Sequence, residues 1–264
     1  EARAFAGGSG TKEDPYLIST GAQLKYLATQ SISDAEFTTN KYFKLTSHID
    51  LNGLDWTPIS YTADGNNAYF KGVFDGNGFT IANLYFNDAE KAGVGLFAGL
   101  QNATVMNLTI TGNITASNAG GLAYNAKNST IDNVVSCVNL TLSNASDKNS
   151  GGIIGIAEEN TIITNCVYLG DMKNVANANV GGIVGSAYNT TIEKCFNYGV
   201  ISSSGEALGG IVGYLADSSS VNQCINFASI SGTSANGKIG GIVGNVSNAL
   251  SVTECINYAS VSGT

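Results

Sequence analysis

The stretch GGIVGSAYNTTIEKCFNYGVIS, residues 181–202, decides the fold because the chain keeps returning to it. GGIVG comes back at 209–213 and 240–244, and GGIIG stands at 151–155. Aligning the motif places Gly121, Gly152, Gly182, Gly210 and Gly241 at one position, with Gly95 of VGLFAG as an earlier, decayed copy. The cysteines give the period independently. Cys137, Cys166, Cys195, Cys224 and Cys255 are 29, 29, 29 and 31 residues apart, so all five are expected in one column.

Downstream of each glycine motif runs a second string: TIDNVVSCVNLTLS, TIITNCVYLGDM, TIEKCFNYGVIS, SVNQCINFASIS and SVTECINYASVS. These are short, β-branched and alternating, with Asn, Gly and Ser as punctuation, which is the pattern of strands joined by turns. A repeat of about 29 residues with no helical stripe excludes the helical arrays, and the leucine-rich consensus is absent. What remains is a solenoid in which each repeat is one coil and each strand pairs in parallel with its copy in the next. The expected fold is all-β, a right-handed parallel β-helix, the hand following from the crossover rule for parallel strands. Coils stacked about 4.8 Å apart place each residue over its equivalents. Glycine at a bend then supplies backbone angles and close approach that a β-carbon obstructs.

Residues 1–92 differ in texture but are read as an N-terminal cap and first irregular coils of the same continuous domain, with the repeats at 93–264. In STGAQLKYLATQ, Thr20 followed by Gln23 is a capping box, and Leu24, Leu27 and Ala28 fall at helical spacing. A helix over 20–30 is expected to plug the open solenoid end. KYFKLTSHIDL alternates as a strand with Phe43, Leu45, Ile49 and Leu51 on one face, and FDGNGFTIANLYF holds a tight Asp-Gly/Asn-Gly turn between two apolar runs. The sequence stops at SVSGT with no capping pattern, so the native protein is expected to continue there or to self-associate.

Composition narrows the function. The formal net charge is −8 and Arg3 is the only arginine, so no basic stripe exists to neutralise phosphates, and nucleic acid is not an expected partner. No apolar run approaches the roughly 20 residues that span a bilayer, so no membrane insertion is expected. The first residues, EARAFAGGSG, lack a signal pattern, which leaves a cytosolic protein or one whose leader has been removed.

GGIVG followed by NCVYLG, KCFNYG or QCINFA resembles the GLUG-motif repeats of bacterial surface proteins. The lead-in GGSGTKEDPYLISTGAQLKYLA, then YFKLTSHIDLNGLDWTPIS and FKGVFDGNGFTIANLYF, resembles the segment that precedes those repeats. The resemblance covers nearly the whole chain. It implies a β-helical region of a secreted or surface-anchored bacterial protein, of the kind found in adhesins and beside the protease portion of immunoglobulin-A-cleaving metallopeptidases. It implies no catalytic residue here: the peptidase's zinc signature has no counterpart, and His48 is the only histidine.

Candidate chemistry is weighed column by column. The five cysteines are read as free, structural thiols that pack as small apolar groups: none are closely paired as metal ligands are, and in-register neighbours about 4.8 Å apart exceed disulfide geometry. Two residues on, Asn139, Tyr168, Asn197, Asn226 and Asn257 form a second column, read as a structural amide ladder. Phe196, Tyr198, Phe227 and Tyr258 fall on the opposite strand face, beside Ile225 and Ile256. Both faces are apolar, so alternation leaves open which is interior. If the cysteine face is, the aromatics form an exposed stripe suited to sugar rings or a protein partner. Eleven of the 20 acidic residues lie in the first hundred positions, among them Asp50, Asp55, Asp64 and Asp75, and are read as solvated turn carboxylates. DLNGLD lacks the dense spacing of a calcium loop. His48 reads as a surface residue. Asn102, Asn107, Asn113, Asn128, Asn139, Asn144, Asn189 and Asn245 begin Asn-x-Ser/Thr triplets that composition alone explains.

The expected function is a non-enzymatic adhesion or binding region, extracellular or at the cell surface. It requires no cofactor or metal and presents its flank to a glycan or host surface protein. The alternatives are a polysaccharide-degrading β-helix lyase or hydrolase with carboxylates in a cleft, a passive spacer, and, ranked last, an ice-binding face.

Overall fold

The computed structural model describes residues 4–52, 54, 56–62, 68–143 and 148–264. Asp55, Asp64 and Asn144 lie outside the described residues. The chain is a parallel β-solenoid. Among the described residues every pairing of one strand with another is parallel, the single Gly7–Leu17 bridge being antiparallel, and one column runs Tyr16, Phe43, Phe74, Val105, Ile131, Ile163, Ile192, Val221 and Val252. Its steps of 26 to 32 residues each complete one coil. Separate ladders stack Asn149–Gly151, Asn179–Gly181, Ala207–Gly209 and Lys238–Gly240, and the GGIVG strands from Phe97–Gln101 to Val243–Ser247.

Inside, Ile and Val stack on Ile and Val. Ile131, Ile163, Ile192 and Val221 are fully buried, as are both branched residues of the motif, Ile183 with Val184 and Ile211 with Val212. The motif glycines answer to space, not to backbone angle. Among the described residues, glycines with left-handed φ are Gly8, Gly10, Gly78, Gly93 and Gly112, none of them in the motif. A β-carbon on Gly181 would lie 2.0 Å from the Val184 carbonyl oxygen. One on Gly182 would lie 2.2 Å from the Gly210 oxygen and 2.5 Å from Asn197 Cγ. The expectation of special backbone angles is therefore corrected: each glycine lets a neighbouring backbone or the buried amide column approach.

Left-handed conformations fall instead to a column of turn residues, Asn107, Asn133, Asn165, Lys194, Gln223 and Glu254, with φ between 52° and 56°. Asn102, Asn128 and Asn189, at 51°, 44° and 46°, mark another corner. Four of the Asn-x-Ser/Thr asparagines thus sit where the chain needs a residue that tolerates the left-handed region. Outside the coils asparagine amides ladder as well: Asn128 donates to Asn102 at 2.6 Å, Asn133 to Asn107 at 2.9 Å and Asn139 to Asn113 at 3.1 Å.

Two further expectations change. Cys137 does not join the cysteine column. Ile131 pairs with Ile163 and Val135 with Val167, which sets Val134 over Cys166 and turns Cys137 to the outer face. The coil there is 32 residues long, and strand parity then reverses the side on which Cys137 and Asn139 project, leaving Asn139 exposed and Ser136 over Tyr168. Gly95 comes into register with Gly120, since Val94 bridges Ala119. The expected turn in FDGNGF joins Val73–Asp75 to Thr80–Asn87; both strands pair with Thr104–Ala116, so the turn is a coil corner.

The helix spans Gly21–Ser33 and buries Leu24, Leu27, Ala28 and Ser31. Its capping box is formed: Thr20 Oγ1 accepts the Gln23 amide at 3.2 Å, and Gln23 Oε1 accepts the Thr20 amide at 3.2 Å. Phe43, Leu45, Ile49 and Leu51 are buried, the first three on the short strands Tyr42–Leu45 and Ile49–Asp50 and Leu51 just after them.

Candidate binding face

The strand that follows each corner settles which face is interior. Cys166, Cys195 and Cys224 are fully buried, and each thiol donates to the carbonyl two residues upstream, at 3.2, 3.4 and 3.4 Å. Cys255 repeats this contact at 3.1 Å but is half-buried. All five thiols are free. Burial holds Cys195 well above the usual thiol range; the hydrogen bond shared with the Cys195 thiol, with burial, pushes Cys224 up to about 12.

The amide column lies on the same inner face. Asn197 donates to Asn226 Oδ1 at 2.8 Å, and Asn226 donates to Asn257 at 2.7 Å. Each amide also closes on its own coil, Asn197 to the Gly199 carbonyl and Asn226 to the Ala228 carbonyl. Tyr168 takes this position one coil earlier, its hydroxyl donating to the Val138 carbonyl at 2.8 Å. The second glycine of each motif is the space this column occupies, since a β-carbon on Gly210 would lie 2.5 Å from Asn226 Cγ.

With cysteine and asparagine inside, alternation sends the intervening residues out. One outer column holds Val135, Val167, Phe196, Ile225 and Ile256. The next holds Leu169, Tyr198, Phe227 and Tyr258, which are 49, 48, 39 and 66% exposed. Their amides bond to the coil before at 2.8 to 2.9 Å, which holds the rings in register. Tyr198 and Phe227 stack with centroids 4.6 Å apart and planes 9° from parallel; Phe227 and Tyr258 stack at 5.4 Å and 11°. Phe196 meets Phe227 edge-on at 6.4 Å. Phe227 is thus covered on both faces, while Tyr198 and Tyr258 each stack on it with one face. Sequence reading missed Leu169 and Val167; counting the alternation back from Tyr168 finds both.

The other candidates are elsewhere. Asp50 Oδ1 accepts the Asn52 amide and the Asn83 side chain, both at 2.8 Å, and the Asn83 bond foremost lowers its pKa. Asp75 Oδ1 accepts the Asn77 amide at 2.7 Å. Both carboxylates brace turns. His48 is exposed at a bend, Nδ1 accepting the Thr80 amide at 3.0 Å and its ring set edge-on to Phe79. Among the described residues, no helix is long and apolar enough to cross a membrane.

Comparison with known proteins gives the fold a wider setting. A protein provisionally named immunoglobulin A1 protease from Bacteroides ovatus superposes with a TM-score of 0.66 at 22% identity, over 98% of this chain and 80% of that one. A second solved structure, an IgA1 protease, superposes with a TM-score of 0.63 at 19% identity, over 93% of this chain but 21% of that one. The fold is shared with both. No protein-family model matches the chain. In sequence it is 37% identical over 125 residues to a protein of Evansella cellulosilytica provisionally named a Gly-rich membrane protein, and 32% identical over 153 residues to halomucin of Haloquadratum walsbyi. Those matches take in 46% and 44% of this chain, and 14% and 2% of the relatives' lengths.

Proposed function

We propose that this solenoid is a non-enzymatic binding region of a bacterial surface protein, a GLUG-type repeat array that presents its aromatic sheet face to a partner outside the cell. The observation that carries this reading is the outward column of Leu169, Tyr198, Phe227 and Tyr258 beside Val167, Phe196 and Ile225. Large apolar groups aligned over four successive coils form a contiguous patch of the kind that marks interaction sites. The names of the sequence relatives, a membrane protein and a halomucin, support a surface setting.

Ring orientation favours a host surface protein over a glycan at this face. A sugar packs on the face of an aromatic ring, and here the faces of Phe227 are taken by Tyr198 and Tyr258. A protein surface accepts ring edges and the Tyr hydroxyls equally well. Catalysis is not part of this reading: Asp50 and Asp75 are engaged in turns, and the name protease belongs in one neighbour to a chain of which this one covers 21%.

The test is an array of immobilised glycans and extracellular proteins probed with the wild-type chain and with Tyr198→Ala/Tyr258→Ala. The double variant is expected to lose at least tenfold in affinity for a protein ligand with its far-ultraviolet spectrum unchanged. Unaltered affinity for every ligand detected removes the face as the site, and depolymerised glycans on the array support the enzyme reading instead.

A further inference from the structure

A second concavity lies on coils that precede the aromatic column, where Trp56 and Tyr61 meet the end of the strand Thr80–Asn87. It encloses about 370 Å³ and its walls include Trp56, Tyr61, Tyr85, Phe86, Asp88 and Lys91. Four aromatic residues from two separate stretches of chain line it. That volume falls in the range of small-ligand sites, and the mixture of ring surface with a few polar groups is their usual lining.

Local structure sets up each wall. Alternation along Thr80–Asn87 buries Leu84 and sends Tyr85 out, 57% exposed. Pairing of Tyr85 with Asn113 and of Phe86 with Ile114 fixes that strand end. Asp88 Oδ1 accepts the Glu90 amide at 3.1 Å, and the Asp88 carbonyl accepts the Lys91 amide at 3.1 Å, so a tight turn holds the carboxylate and the ammonium-bearing residue on one side. Trp56, at the cleft's edge, is only 5% exposed, and its indole N–H has no acceptor among the described residues.

We propose that this cleft is a carbohydrate-binding site that takes a neutral pyranose. Here, unlike on the sheet face, Tyr85 is not enclosed between stacked rings, so an aromatic face can meet the apolar face of a sugar. Asp88 accepts from sugar hydroxyls and Lys91 donates to them. One carboxylate and one ammonium leave the walls without a net charge, which suits a neutral sugar better than a uronic acid or a phosphate. The proposal does not rest on the sheet-face reading.

Trp56 is the only tryptophan in the chain, so its emission reports this cleft alone. The full chain is titrated with cellotetraose, maltotetraose, mannotetraose and the tetramer of N-acetylglucosamine while tryptophan fluorescence is followed. At least one sugar is expected to give a saturable change. Tyr85→Ala and, separately, Asp88→Asn should each raise its Kd tenfold or more at an unchanged melting temperature, and Tyr198→Ala should leave it alone. The absence of a saturable response to all four sugars overturns the proposal, as does a response that survives both cleft variants. Failure of the sheet-face variants on the array has no bearing on this readout.

Discussion

At the residue scale, the molecule is governed by what can sit directly above itself. A carboxylate or ammonium repeated every 4.8 Å repels its copies; a thiol, an amide or a β-branched side chain does not. The asparagines do more, because an amide has donor and acceptor at opposite ends and can bond coil to coil indefinitely. The buried thiols carry a testable consequence. Cys224 has an ordinary pKa of 9.0 and is pushed up to about 12 in the fold, chiefly by the hydrogen bond shared with Cys195. Between those values the folded chain holds more protons than the unfolded one. Its contribution to stability is therefore complete below pH 9 and declines as pH rises toward about 12, by at most about 1.4 kcal/mol per pH unit for one thiol. Urea unfolding at pH 8, 10 and 11 should show the loss, and Cys224→Ala should reduce its slope without abolishing it, since burial also raises Cys195; equal slopes in the two proteins contradict the account.

At the element scale, the one long helix is the part least dependent on stacking. Its start is fixed by Thr20 and Gln23, whose reciprocal bonds satisfy amides that the first turn leaves open. Thr20→Ala should cost about 1 kcal/mol, seen as faster hydrogen exchange in Gly21–Ser33 with strands from Thr104 onward unaffected. Uniform acceleration along the chain would show instead that the helix and the coils open together. The short strands behave differently. A two-residue strand such as Phe196–Asn197 has no stability alone and exists because copies lie on both sides.

At the scale of the whole molecule, stability is a sum over neighbouring coils, so damage at one interface should stay on one side of it. Gly210→Ala tests this. The added carbon would lie 2.1 Å from the Gly241 oxygen, forcing the last two coils apart. Exchange protection in residues 238–264 should fall first and furthest, while the ladder through Phe43 and Phe74 keeps its protection. Equal loss at both ends would show a single cooperative unit.

The sequence by itself determined that this protein is a parallel solenoid, because a period carried independently by glycine and cysteine admits no other stacking. It also determined the capping box, since both partners lie within four residues. Tertiary structure alone decided the rest. Alternation has two faces and both are apolar here, so only the closed coil, with its room for Asn197 and Asn226 beside Gly182 and Gly210, shows that cysteine faces in and Tyr198 faces out. A constant spacing between Cys137 and Cys166 concealed a 32-residue coil, because register follows hydrogen bonds and not like letters. The cleft around Trp56 had no periodic signal at all: its walls come from an irregular crossing and a strand end that meet only once the chain is wound.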